Sequence, residues 1–337
     1  MAIKVNKDSK LIKVLASQAR FQEVAQDQAA EAEEIIAELS QDMSPENRHQ
    51  IAQVIGYTVN DMQQGALDFL NVVADQKNIG YGDKAAFNVK TGGVKAYFQA
   101  KGSTTPRSFV SGKQILVDTE EVSARPAINV IDLRTGRVKM ADLIREANRE
   151  ITNKKIKKIE QVLHAAVQKF AAPFYGTGTG VEKAVLDKII AYFRRLGPVN
   201  IIGDIEAVSK LAGLVGMEMG NSLTQRTDNM VNEYNENGFI GKYNGCNVIA
   251  LANAIATDAD PKDPEKQYTV LDPNWLYIVP GNMSSDMRNL KIVNEGGMNS
   301  FEAQDINDLV FEVRLDQWFG AAFVTGKLPT IGGYLIG

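Results

Sequence analysis

The 337-residue sequence predicts an α+β fold. Three observations predict it. Apolar residues recur at helical spacing through the N-terminal part. A Gly- and Thr-rich block of alternating apolar residues follows Gly80. A long helical pattern over 139–170 then gives way to alternating helix and strand signals.

The elements follow in order. Residues 9–40 predict a helix, with Leu11, Val14, Leu15, Phe21, Val24, Ala25, Ala32, Ile35, Ile36 and Leu39 at spacings of three and four. In "MSPEN", Ser44 is suited to cap a second helix and Pro45 to open it. That pattern continues to about Ala74 with a break near Gly56. Strands are expected at "AAFNV", "KAYFQA" and "SFVSGKQILVDTEEV", separated by turns at Gly92-Gly93 and "KGSTTP". Met140, Ile144, Ala147, Ile151, Ile159, Leu163, Ala166 and Phe170 mark the long helix, about 48 Å if continuous. Beyond "GTGTG" (176–180) come a helix over 181–196 stopped by Gly197-Pro198, a strand "VNIIGD" and a helix "IEAVSKLAGLV". The strands "GFIGKYNGCNVIALANAI", "QYTVLDPNWLYIVPG" and "RNLKIVNE" follow. In "DLVFEVRLDQWFGAAFV", Val310, Glu312 and Arg314 alternate with Phe311, Val313 and Leu315.

Charge is segregated along the chain. From Phe21 to Asn47 there are eight acidic residues and no Lys or Arg. Between Asp83 and Lys113 there are six basic residues against one acidic, and Asp118, Glu120 and Glu121 follow. The middle of the long helix, "REANREITNKKIKK", is strongly basic; a solvated helix face is the ordinary explanation of such a run.

Residues suited to catalysis are few. One cysteine, Cys246, rules out an intramolecular disulfide and fits a reducing compartment. His49 and His164 lie far apart in helical patterns, and no His/Cys cluster has zinc spacing. No stretch approaches the ~18 apolar residues of a membrane span, and a net charge of −4 is too small to mark an overall nucleic-acid binder. "TDADPKDPEK" fails as a calcium loop, since Asp263 and Thr269 stand where Gly and Glu are needed. "GTGTG" fails as a phosphate loop. No Lys-Ser/Thr pair follows, Val181 occupies the third glycine position of a dinucleotide fingerprint, and the preceding signal is a helix. Gly176, Gly178 and Gly180 therefore predict a hinge or turn.

The order of these elements resembles the major capsid protein of tailed double-stranded DNA phages, the Hong Kong 97-type fold shared with encapsulin shells. The resemblance covers most of the chain from about residue 50. It implies an N-terminal helical arm at 1–50 and an E-loop at 83–122. It implies a peripheral domain of 51–82, 123–174 and 306–337 with its spine helix at 139–170, and an axial domain at 175–305. It further implies hexamers and pentamers closing into an icosahedral shell around the genome, in a virion assembled in the host cytoplasm. Scaffolding, portal and decoration proteins would be further partners, and no cofactor or membrane is expected. An encapsulin-type compartment is the alternative on the same fold. A nucleotide-dependent α/β enzyme using loop 176–180 is the alternative from another class. The arm is expected to be retained, and lysine crosslinking is not expected, because no E-loop Lys can be matched to an Asn and a catalytic Glu.

A long extension cannot bury both faces within one subunit, so it needs a neighbour. Lys90, Lys95, Lys101, Arg107 and Lys113 are expected to meet acidic residues of an adjacent copy, either Glu31, Glu33, Glu34 and Glu38 or Glu120 and Glu121. The basic residues Arg145, Arg149, Lys154, Lys155, Lys157 and Lys158 are expected to face the shell interior, toward packaged DNA or a folded-back acidic arm.

Overall fold

The computed structural model describes residues 10–63, 67, 70–71, 73–91, 93, 95–98, 104, 106–109, 111–135, 137–214, 236–251, 253–256, 268–305, 309–326 and 328–337. The chain opens with three helices, α1 (Lys10–Ala19), α2 (Gln26–Gln41) and α3 (Pro45–Gln63). The helix expected over 9–40 is thus two. The chain turns at Phe21, whose φ of 57° is one that helices cannot continue through. Ser44 caps α3 as expected, its hydroxyl accepting the Asn47 N–H at 3.4 Å. No break occurs at Gly56, which lies inside α3 against Ser300. Ala74, expected at a helix end, begins strand β1 (Ala74–Ile79).

Next come β2 (Ala85–Lys90), β3 (Gly112–Val117), β4 (Glu120–Ala124), β5 (Ala127–Asn129), the short α4 (Val130–Arg134) and the long α5 (Met140–Val167). At 28 residues, α5 is about 42 Å long. The remaining elements are β6 (Tyr175–Gly178), α6 (Lys183–Arg194), β7 (Val199–Asp204), α7 (Ile205–Ser209), β8 (Lys242–Tyr243), β9 (Cys246–Leu251), β10 (Trp275–Pro280), β11 (Leu290–Asp305), β12 (Val310–Phe323) and β13 (Gly332–Ile336).

Among the described residues the strands form three sheets. The first has the order β1-β11-β12-β4, with β5 also on β12. Only the β1–β11 pair is parallel. The second has six strands in the order β6-β13-β10-β7-β9-β8. The third is the β2–β3 hairpin, antiparallel from Ala85↔Val117 to Lys90↔Gly112.

Two cores follow from this arrangement. α1, α2, α3 and the first half of α5 cover the five-stranded sheet, burying Leu15, Ile36, Ile51, Ile55, Ile144 and Ile151 with Phe311, Val313 and Leu315 of β12. The alternation read along β12 is what puts those three side chains inward. α6 and α7 pack on the six-stranded sheet, around Leu186, Phe193, Ile201, Val208 and Ile278. α5 belongs to both halves: its later residues Ile159, Leu163 and Val167 join Ile202 and Trp275 of the larger sheet to Leu290, Ile292 and Phe319 of the other. Each such buried aliphatic side chain stabilises by roughly 1.5–3 kcal/mol.

The expected segment boundaries do not follow the sheets. β11, placed by sequence with 175–305, is an inner strand of the five-stranded sheet. β13, placed with 306–337, is an inner strand of the six-stranded sheet. After β10 the chain crosses to one sheet and returns to the other, which no local pattern announces. The described part of the expected arm, 10–50, is not a free extension. Val14, Leu15, Ala19, Ile36 and Leu39 are buried against α3 and α5.

Candidate assembly surface

The β2–β3 hairpin is fixed at its base and open beyond it. Ala85, Phe87 and Val117 point inward onto Val293 of β11. Two ammonium groups lie over the Phe87 ring, Lys77 at 4.5 Å and the buried Lys291 at 5.3 Å from its centroid. Lys291 also bonds the Asp75 carboxylate at 2.9 Å. At the end of β2, Lys90 pairs with Asp286 at 3.3 Å. The Asp286 carboxyl lies below its ordinary pKa, held there by the Ser284 hydroxyl first and Lys90 second. Farther out the side chains lose the protein. Phe98 is fully exposed, Phe109 is 75% exposed and Tyr97 about half exposed, with Lys95 and Arg107 also exposed. Within the paired stem, Leu116 opposite Ala86 is about half exposed and Lys113 opposite Val89 is exposed. Lys101 and "KAYFQA" beyond Phe98 lie outside the described residues, and Lys95–Phe98 is not a strand.

Most of the acidic residues expected to meet a neighbour are engaged within the chain. Glu31 bonds Lys10 at 3.0 Å, and Glu33 bonds Lys139 at 2.8 Å, raising the Lys139 pKa through that hydrogen bond. Glu120 takes Lys158 at 2.8 Å, and Glu121 pairs closely with Arg314. Glu34 and Glu38 stand exposed one turn apart on α2.

The basic run on α5 is not one face, and its expected role is corrected at several positions. Lys155 is 2% exposed on the same buried stripe as Ile151 and Ile159. Its ammonium donates to the Gln63 and Gln317 carbonyl oxygens, each at 2.6 Å, and burial pulls its pKa down to about 8. It is a core contact between α3, α5 and β12, not a surface cation. Arg145 bonds Asp142 at 2.9 Å and the Ala19 carbonyl at 3.1 Å, and its guanidinium stacks on Phe21 at 3.9 Å. Lys158 is taken by Glu120. Arg149, Lys154 and Lys157 remain exposed, Arg149 within 3.8 Å of Glu146 and Glu150.

The glycine-rich stretch is also corrected. Gly176 and Gly178 are not in a joint. They lie in β6, paired in parallel with β13. A Cβ at Gly176 would overlap Val185 of α6, and one at Gly178 would overlap the Tyr334 hydroxyl and come within 2.8 Å of the Glu182 carboxylate. These glycines let α6 and Tyr334 approach the strand. Gly180 alone needs freedom, with φ +84°. Two of the loop's amides are occupied: Gly180 N–H bonds the Gly337 carbonyl at 3.2 Å, and Glu182 N–H bonds the Tyr334 hydroxyl at 2.8 Å. With these donors taken and a carboxylate at the mouth, the loop is a poor phosphate cradle. The described residues contain no group of three His, Cys, Asp or Glu side chains suited to a metal ion, and no helix among them is long and apolar enough to cross a membrane.

A helical layer on a five-stranded sheet, a long helix shared with an α/β unit, and an extended hairpin together define the Hong Kong 97-type phage capsid fold. A chain of Mycobacterium phage Cain shares it, with a TM-score of 0.50 at 12% identity over 79% of this chain and 89% of that one. A chain of Microbacterium phage Oxtober96 (TM-score 0.49, 11% identity, 78% and 88% covered) and the asymmetric unit of the bacteriophage PhiM1 mature capsid (0.48, 12%, 78% and 86%) are also similar. No curated protein sequence matches significantly. The family model described as "SPbeta prophage-derived putative capsid protein YonB" matches residues 2–335, and the chain belongs to that family of phage structural capsid proteins.

Proposed function

We propose that this chain is the self-assembling subunit of an icosahedral phage shell, arranged in hexamers and pentamers around double-stranded DNA. One observation carries the proposal beyond family membership. The hairpin presents Phe98 and Phe109, and about half of Tyr97 and Leu116, to solvent along with Lys95, Arg107 and Lys113. Exposed aromatics ringed by cations on an extension are a contact made by another molecule. A second copy of the same chain supplies the acidic complement at Glu34 and Glu38 on α2. The exposed Lys154 and Lys157, with Arg149 beside Glu146 and Glu150, would lie against DNA phosphates in the interior. In this reading the protein is virion material made in the host cytoplasm, with scaffolding, portal and decoration proteins as its other partners. Electron microscopy of the purified full-length chain tests it. Closed icosahedral particles are expected, holding DNA when made in an infected or induced cell. A small soluble oligomer under all conditions overturns the reading, and particles filled with a protein cargo convert it to an encapsulin-type compartment.

A further inference from the structure

The two sheets meet through α5, and the meeting point contains an unusual carboxyl group. Glu160 is 8% exposed on the inner side of the helix. Its Oε1 accepts the backbone N–H of Asp272, from the segment leading into β10, at 2.7 Å. His164, one turn further along α5, has Nε2 at 3.8 Å from that carboxylate, too long for a hydrogen bond, and at 2.7 Å from the Tyr277 hydroxyl. The His164 ring stacks on Trp275 with centroids 4.0 Å apart. Beside the carboxyl lies an apolar cavity of about 380 Å³, with Ile159, Leu163, Ile202, Leu251 and Ile331 in its walls.

We infer that this junction is a proton-coupled clasp: α5 and the six-stranded sheet are held closed while Glu160 carries a proton, and the contact loosens when that proton leaves. The reason is geometric. An ionised Glu160 would face an apolar cavity, with the Asp272 carboxylate also near. The described charged and titratable groups around it are Asp272 and Tyr277 from the β10 side and Lys157 and His164 from α5. β7 and β9 contribute only apolar side chains to the cavity wall. One backbone N–H and the exposed Lys157 do not compensate burial of the charge. Burial accordingly pushes the Glu160 pKa up to about 7. The same burial lowers the His164 pKa, so the imidazole is neutral and can accept from Tyr277.

The two groups pull in opposite directions with pH. Glu160 titrates higher in the closed state than its ordinary 4.5, so its contribution is complete below 4.5 and is lost as pH rises through about 7. His164 titrates lower than its ordinary 6.5, so its contribution is complete above 6.5 and fades in acid. Taking 4.5 for the open junction and about 7 for the closed one, Glu160 by itself raises opening about 30-fold between about pH 5.5 and about pH 8, and His164 offsets part of that rise.

Hydrogen exchange at the Asp272 amide tests this in the full-length chain, once corrected for the intrinsic dependence of exchange on pH. The wild type is expected to show a rise smaller than about thirty-fold, because His164 offsets part of it, and His164→Gln is expected to show the fuller rise. Glu160→Gln, which keeps the acceptor but cannot ionise, is expected to lose the rise and keep only the opposite trend of His164. A wild-type amide with no such rise, an equal rise in Glu160→Gln, or a rise removed only by His164→Gln overturns the clasp. A second readout does not depend on the Glu160 variant folding. In Trp318→Phe, Trp275 is the remaining tryptophan, and its emission is expected to titrate with a midpoint near pH 7. A midpoint below 6.5, the ordinary imidazole value, assigns the change to His164 and overturns the proposal.

Discussion

Lys155 on α5 and Lys113 on β3 come from equally basic stretches, yet the first is 2% exposed and the second stands in solvent. Along α5 the charges are absorbed by the fold. Arg145 is held by Asp142 and Phe21, Lys155 by two glutamine carbonyls, and Lys158 by Glu120. On the hairpin only Lys90, at the anchored base, has a carboxylate partner among the described cations. The contrast shows that a charge run on a long helix is first a question of which face each residue takes. On a projecting hairpin it is a question of what another molecule brings.

That comparison can be broken most sharply at Lys155. Lys155→Ala leaves the buried Gln317 carbonyl and the half-buried Gln63 carbonyl without this donor, so it should cost about 2–4 kcal/mol in chemical denaturation. A cost below about 0.5 kcal/mol would return Lys155 to the class of surface cations. The pH profile gives an independent check. Its folded pKa, about 8, lies below the ordinary 10.5, so the unfolded chain binds the extra proton between those values. Stability from this site should therefore rise with pH from about 8 toward 10.5, and Lys155→Met should remove that slope.

The glycine-rich strand gives the next largest effect. Gly176→Ala should cost about 1–3 kcal/mol through overlap with Val185, and Val185→Ala should restore part of it. A free joint would tolerate the change, so an unaltered melting curve would revive the hinge. Lys158→Ala removes only a surface pair with Glu120, and its cost should stay within about 0–1 kcal/mol. Smallest of all, replacing Lys95 and Arg107 by Glu should leave the subunit's own stability within about 0.5 kcal/mol, because both are exposed.

Local signals carried much of this structure. Periodicity marked α3 and α5, Ser44-Pro45 marked a helix start, and alternation marked β12 with its inward Phe311, Val313 and Leu315. What stayed hidden was non-local. β13 is five residues beginning Gly-Gly, too short and too small for an alternation signal, yet it sits inside the six-stranded sheet. β11 pairs with β1, far earlier in the chain. Phe21 fits the helical spacing of its neighbours, but the backbone turns there. The candidate surface was legible as charge and not as partner: the sequence could count the cations of α5 but could not tell that Lys155 replaces an aliphatic residue on the buried stripe. Glu160 was invisible for the same reason, since a carboxylate in a basic helix is taken for a surface group until its burial is known.

The central claim is that the open hairpin is a contact between copies of this chain. Sedimentation velocity of the full-length Lys95→Glu, Arg107→Glu double variant, beside the wild type, tests it most directly. The account predicts wild-type shells and a variant that stays as small, fully folded oligomers. A variant that assembles into shells as efficiently as the wild type would contradict it.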